Sequence, residues 1–425
     1  MAQTATPIDF AIRPRKNTLV AEFVGKPLDG LRTPALIIDR DAFARNCAKM
    51  HQKSKDWGAK FRAHLKTHKT AEGTALQLKS SADKTTAVVV STLMEAWEVV
   101  NAGLFADGTV GDLLYGLPVA VNKLADLSTL WDAVTPHGGI VRVLIDHPEQ
   151  IKHIETFETS HSRSRKWSAF IKIDGGQKRA GVNPMSERLK TLVSMMDSSP
   201  AVELYGFYGH AGNAYGSKSL SEATSFLSGE VVAVNTAAKV ALSLMKNHDR
   251  PPLVLSVGST PSAHAASAET KEYLSSILNG TLELHAGNYP MLDIQQRDTT
   301  LIGKADISQR VRATVISYYP GRAENGWDEA MVDAGVIAFS KDTCPSGGFG
   351  EVIGKDWKMV RMSQEHGILA STKEVADKLD IGETVDIVGN HACLIAAAFP
   401  WYYVVDETVE NGTKIVDIWV PWKGW

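Results

Sequence analysis

The chain has 425 residues, 44% of them apolar and 22% charged, and a net charge of −3. That length is enough for two domains, or for one large barrel with an appendage. So balanced a charge excludes a general attraction to nucleic acid or to an anionic membrane, and neither is expected as a partner.

Three cysteines, Cys47, Cys344 and Cys393, occur without a CxxC pair. Such sparse usage argues against a disulfide scaffold and for a reducing compartment. The opening MAQTATPIDFAIRPRKN has no apolar core of a secretory signal. No apolar run approaches the length that spans a bilayer, and the expected location is cytoplasmic.

In chain order, short β-branched runs alternate with amphipathic stretches of helical spacing from residue 60 to 290. Strands are predicted at KFRAHLKT (60–67), KTTAVVVST (84–92), DLLYGLPV (112–119) and GIVRVLID (139–146). Four more follow at SAFIKIDGG (168–176), VELYGFYGHAG (202–212), LVLSVGSTPS (253–262) and TLELHAGNY (281–289). Strand alternating with helix implies parallel pairing and right-handed crossovers. Eight such units predict a (β/α)8 barrel over residues 31–300 rather than an open sheet. From 301 to 425 the texture becomes all-β, with short runs such as RVRATVISYYPG, ETVDIVGNHACLIAAAF and KIVDIWVPW between Gly, Asn and Asp turns. This second domain is expected to recover the polar, proline-bearing residues 1–30.

Three places carry chemistry. In FRAHLKTHKT (61–70), Arg62, His64 and Lys66 alternate along the first barrel strand and share one side. Lys66 falls at its C-terminal end, the face on which barrels build active sites. A lysine there, partly desolvated and flanked by cations, is held near neutral and is available for a Schiff base. The competing reading is a solvated loop lysine. VGSTPS (257–262) and HAGNYP (285–290) offer backbone N–H groups after the last two strands, where barrels frequently hold a phosphate. A lysine facing a phosphate site fits pyridoxal phosphate. SGGFGE (346–351) lacks the strand–turn–helix of a dinucleotide fingerprint. His391 and Cys393, in GNHACLIAAAF, point the same way if extended and would suit zinc. The competing reading is a buried cysteine beside a hydrogen-bonded histidine.

The ordered set TPALIIDRDAFARN, FRAHLKTHKT, IKIDGGQKRAGV, GFYGHAGNAY, SVGSTPS, HAGNYPMLD, VDAGVIAFSKD and GNHACLIAAAFPWYYVVD resembles the fold-type III pyridoxal-phosphate enzymes, in their D-serine dehydratase and D-threonine aldolase branch. The resemblance runs from about residue 31 onward. It implies a barrel like the N-terminal domain of alanine racemase, a β-domain, and a homodimer. It makes Lys66 the Schiff-base lysine and brings Arg179 to the cofactor's phenolic oxygen. Tyr208, His210 and Tyr215 would contact cofactor or substrate. Gly258, Ser259 and Thr260 would hold the phosphate, with Gly287, Asn288 and Tyr289 opposite, and His391 and Cys393 would bind zinc. The aldolases typically carry an aspartate where Cys393 stands, so the thiol points toward the dehydratases. HAGNY departs from the family in having Ala286 where proline is usual.

The expected reaction is the conversion of D-serine, a small-molecule substrate, to pyruvate and ammonia with pyridoxal phosphate and zinc. A D-threonine aldolase and a D-3-hydroxyaspartate dehydratase are alternatives of the same fold. A non-catalytic pyridoxal-phosphate binding protein is the alternative from another class, but a carrier needs neither a second domain nor a metal. A racemase would require a second base, and the sequence reveals none.

Overall fold

A computed structural model describes residues 7–210, 212–246, 249–266 and 278–425, apart from the side chains of Pro7, Asn213 and Tyr215. Strand β1 (Ala35–Asp39) leads into a helix, Arg40–Trp57, whose N-terminus Asp39 caps by accepting from the Asp41 and Ala42 amides. Eight parallel strands then close a barrel. They are β2 (Lys60–His64), β3 (Ala87–Val90), β4 (Asp112–Pro118), β5 (Ile140–Ile145), β6 (Trp167–Lys172), β7 (Val202–Tyr208), β8 (Val254–Val257) and β9 (Thr281–Ala286). Each lies within a strand read from the sequence apart from a residue at the start of β6, and β2 closes the ring by pairing Phe61 with Leu284. Strands such as β6 are buried along their whole length, as parallel strands under a helical layer must be.

The barrel interior is polar toward its N-terminal end. Arg62, 1% exposed, donates to Glu283 Oε1 at 2.8 Å and to Asp112 Oδ1 at 2.7 Å. Asp112 also accepts from Arg142 at 2.8 Å. Burial alone opposes a charged Arg62, but these two carboxylates hold its pKa well above the ordinary value. A charge network of this kind is retained because each member has a partner.

The C-terminal strands are β10 (Gln309–Tyr319), β11 (Glu329–Val332), β12 (Gly350–Val352), β13 (Trp357–Met362), β14 (Gly367–Ser371), β15 (Thr384–Gly389), β16 (Tyr402–Val405) and β17 (Asp417–Trp419). Six of them form an antiparallel ring in the order β10, β11, β14, β13, β12, β15, and β1, β16 and β17 extend it beside β10. β1 thus departs from the expected 31–300 barrel segment: it pairs antiparallel with β10 and parallel with β16. The barrel is already closed by β2 on β9 and offers β1 no edge. Phe23, on the helix Lys16–Phe23, packs edge-on against Tyr403 at 5.1 Å, which ties this part of residues 1–30 to the same sheet. The run Ala392–Ala398, read as strand, is helical instead, and a second short helix spans Val336–Phe339.

The helix Leu220–Leu244 also corrects the sequence reading, because its 25 residues are long and apolar enough to cross a bilayer. Its buried Leu227, Val231, Val234 and Ala238 belong to the main core, so its apolar face is spent on the barrel.

Candidate active site

The C-terminal rim of the barrel gathers most of the side chains named from the sequence. Strand β2 ends at His64, so Lys66 lies in the turn that follows and not on the strand. That turn is held from the second domain. Thr67 Oγ1 lies 3.2 Å from Cys393 Sγ, the Tyr402 hydroxyl donates to the His68 carbonyl, and the Trp422 amide donates to the Lys69 carbonyl. The basic run around Lys66 proves not to be one cationic patch. Arg62 is consumed inside the barrel, and Lys69 pairs with the buried Glu95 at 3.0 Å. The field of neighbouring cations expected from the sequence is therefore largely neutralised.

His64 and His210 lie within the field of Lys66, and His285 lies beside His210. His64, His210 and His285 all have pKa values well below the ordinary range, first because of burial and then because of nearby positive groups. Those groups include Lys66 for His64 and His210, and Lys172 for His210 and His285. All three rings are neutral at pH 7. His210 Nδ1 donates to the Gly258 carbonyl at 2.7 Å, leaving Nε2 as a lone pair. His285 stacks on Tyr208 with 4.1 Å between centroids, and Ser256 lies 3.0 Å from its Nδ1. Tyr208 is buried at the end of β7, and burial raises its hydroxyl pKa.

The sequence reading missed Lys172. It is buried at the end of β6, its ammonium 5.1 Å from the centre of the Tyr208 ring, and burial followed by the Arg179 charge lowers its pKa to about 8. Its signal was the alternation of β6, on which it reads as one more strand residue. Arg179 is exposed on the loop after β6, and its charge is felt by Lys172, Tyr208 and His210. The Tyr215 side chain lies outside the described residues.

The two loops after β8 and β9 meet. Gly258 has φ +138°, and a Cβ there would come within 2.2 Å of the His285 carbonyl, so glycine is required. The Asn288 amide donates to Thr260 Oγ1 at 3.0 Å. Thr260 opens a short helix, Thr260–His264, in which Pro261 has no N–H, the Ser262 amide is capped by Ser259 and the Ala263 amide donates to the Ser259 carbonyl. Ser259 Oγ is occupied in capping that helix through Ser262, so its part is a backbone one. Tyr289 departs from its expected role. Its side chain is fully buried against Phe61, 5.6 Å between centroids, and within reach of Cys47 and Gln77, so its hydroxyl belongs to the core. Orphaned polar atoms remain at this rim, His285 Nε2 and Asn288 Oδ1. Buried polar atoms without partners, where the two glycine-bearing loops meet, fit a phosphorylated, ring-bearing cofactor anchored by Lys66.

The second donor set lies across from Lys66. His391 is the N-cap of the helix Ala392–Ala398, with extended backbone, and Cys393 follows in its first turn. The strand logic of the sequence reading fails here, since the Ala-rich run is helical. The two side chains meet nonetheless. Burial opposes ionisation of Cys393, but the His391 hydrogen bond and the Lys66 charge outweigh it and lower the thiol pKa. Burial likewise opposes protonation of His391, yet Cys393 and Asp342 raise its pKa to about 9. A thiol of lowered pKa beside a histidine suits a borderline metal such as zinc. Among the described residues no group of three or more His, Cys, Asp or Glu side chains suits a metal ion, so this is a two-residue donor pair.

Buried neutral histidines also set an acid limit. Burial lowers the pKa of fully buried His68 from 6.5 to about 4. Between those values the unfolded chain binds the proton and the folded chain does not, so stability is lost as pH falls. The slope is about 1.4 kcal/mol per pH unit for each such residue. His51, His64, His210 and His285 act in the same direction. Urea midpoints should therefore drop between pH 7.5 and pH 5. An unchanged midpoint would contradict the buried neutral state.

Known proteins share this fold. The family model "Alanine racemase, N-terminal domain" matches residues 38–273, and "Putative serine dehydratase domain" matches 308–405. The chain is 46% identical over 422 residues to the D-serine dehydratase of Schizosaccharomyces pombe, covering 98% of this chain and 97% of that one. It belongs to the D-serine dehydratase family. A second family member, the D-serine dehydratase of Saccharomyces cerevisiae, is 34% identical, with 96% and 99% coverage. Among solved structures, D-threo-3-hydroxyaspartate dehydratase from Delftia sp. HT23 superimposes with a TM-score of 0.78 at 27% identity, covering 94% of this chain and 100% of that one. The family is one of pyridoxal-phosphate lyases with the barrel and second domain described above.

Proposed function

We propose that the chain is a D-serine dehydratase, releasing pyruvate and ammonia from D-serine with pyridoxal phosphate and zinc. The observation that carries the reading is the convergence of Lys66 with the His391–Cys393 pair, through Thr67, at the mouth of the barrel. Pyridoxal phosphate supplies an electron sink for the α-carbon, and zinc supplies a Lewis acid for the β-hydroxyl. Lys66 would anchor the cofactor and then take the α-proton as general base. The loops at Gly258–Thr260 and Gly287–Asn288 would fix the phosphate, and His210 and His285, both neutral, would line the site without adding charge. His391 and Cys393 would hold the metal on the side where the hydroxyl leaves. Solved variants of D-threo-3-hydroxyaspartate dehydratase replace a histidine and a cysteine two positions apart, the spacing of His391 and Cys393, and one of them is in a metal-free form.

The working form we propose is a cytoplasmic homodimer, the usual closed assembly for a soluble oligomer. Purified protein given D-serine, L-serine, D-threonine and D-threo-3-hydroxyaspartate, assayed for pyruvate, glycine and oxaloacetate, tests the reading. Pyruvate from D-serine is expected; glycine from D-threonine would make it an aldolase. Light scattering on the same preparation should give a dimer, and a fully active monomer would remove that part.

A further inference from the structure

His391 is not placed by its own helix. Its Nδ1 donates to Asp342 Oδ2 at 2.5 Å, across 49 residues of sequence. The loop that delivers Asp342 is fastened on both sides. It begins at Ser340, a non-glycine residue with φ +65°, whose hydroxyl accepts from the Asp342 amide at 3.2 Å. Asn390, buried and adjacent to His391, donates to the Asp342 carbonyl at 2.9 Å and to the Gly348 carbonyl at 2.8 Å. It also accepts from Cys344 Sγ at 3.0 Å. One residue thus grips the loop while its neighbour receives the loop's carboxylate. Asp342 itself is 43% exposed at its side chain, so water was available to it, and the carboxylate nevertheless turns inward to the imidazole.

With Nδ1 committed to Asp342, the nitrogen left to meet Cys393 is Nε2. A carboxylate on the far nitrogen of a metal-binding imidazole fixes its tautomer, locks the ring orientation and raises its basicity as a ligand. We propose that Asp342 is a positioning residue that presents His391 Nε2, together with Cys393 Sγ, to the metal ion. This rests on the zinc reading of the His391–Cys393 pair. Among the described residues no third protein donor joins this pair to steer the ring, so an outside anchor carries more of the geometry than it would in a full tetrahedral site.

The test compares full-length wild-type protein, Asp342→Asn and Asp342→Ala, each carrying its bound cofactor. The zinc dissociation constant is read by competition with a chromophoric chelator. Asp342→Ala should weaken zinc by about 10- to 100-fold, the usual cost of losing such an outer partner. Asp342→Asn keeps an acceptor without the charge and should fall between the two. Cofactor absorption and melting temperature in the zinc-free state should stay near wild type, since the loop keeps its Asn390 contacts. Wild-type zinc affinity in both variants overturns the proposal. So does a lower melting temperature with unchanged zinc affinity, which would mark a loop contact only. A wild-type protein that takes up no zinc overturns the zinc reading along with it, and is told apart from the other outcomes by the first titration.

Discussion

Replacing Lys66 by alanine should stop pyruvate formation and remove the visible absorption of the bound cofactor. A positioned general base contributes about 10²- to 10⁴-fold, and losing the covalent anchor adds to that, so a fall of at least about 10³-fold is expected. The discriminating control is the neighbouring lysine. Lys69→Ala strips the buried Glu95 of its cation, 3.0 Å away. That change should lower the melting temperature by a few degrees, because a buried carboxylate without its partner is destabilising by about 1–3 kcal/mol. It should leave the absorption band in place. If the band survives Lys66→Ala and vanishes with Lys69→Ala, the roles of the two lysines have been exchanged. Lys172→Ala is a sharper control, because that amine is also buried and its pKa is lowered to about 8. A band lost with Lys172→Ala but kept with Lys66→Ala would move the anchor to β6.

The sequence revealed the barrel well because its signal is local and repeated. Runs such as AVVV and WSAFIK can be buried only as parallel strands under helices, and eight of them in alternation leave little choice. The strand ends were overread at Lys66, at GSTPS and at GNY, where the chain continues beyond the sheet into turns. β1 shows the limit of local reading: ALIID announces a strand but not its sheet, which depends on β10 and β16 far along the chain. Tyr289 failed for a related reason. The glycine turn before it fixes the backbone, but which way the ring goes is decided by the space between Phe61, Cys47 and Gln77. Asp342 carried no sequence signal, because its partner is 49 residues and four strands further along the chain. The His391–Cys393 pair was found by a rule that does not apply to it. On a helix, residues two apart do not face one another. These two meet because His391, with φ −142° and ψ 96°, stands just outside the helix that contains Cys393.

Removing the metal should separate two steps that removal of Lys66 abolishes together. With His391 and Cys393 holding zinc at the leaving hydroxyl, chelation, His391→Ala or Cys393→Ala should leave the cofactor bound. The anchor, Lys66, and the phosphate loops at Gly258–Thr260 are built from other elements of the chain. Exchange of the substrate α-proton with solvent deuterium should persist, since the proposed mechanism assigns it to Lys66 and the cofactor. Pyruvate release should fall by about a thousandfold, because a Lewis acid at a poor leaving group contributes several kcal/mol and about 4 kcal/mol corresponds to that factor. The two variants remove different contacts but should have the same outcome. Cys393→Ala removes the thiolate that Thr67 and Lys66 face, and His391→Ala removes the ring that Asp342 holds. Each leaves one donor, and one donor does not retain zinc, so both should release it. A structural zinc predicts another pattern: melting temperature and activity would fall together, as metal binding would be part of the folding free energy of the second domain. Elemental analysis, deuterium exchange and pyruvate assay on chelated, still-folded protein decide between them. Dehydration at the wild-type rate without metal would eliminate the catalytic role and leave the thiolate and imidazole as a hydrogen-bonded pair.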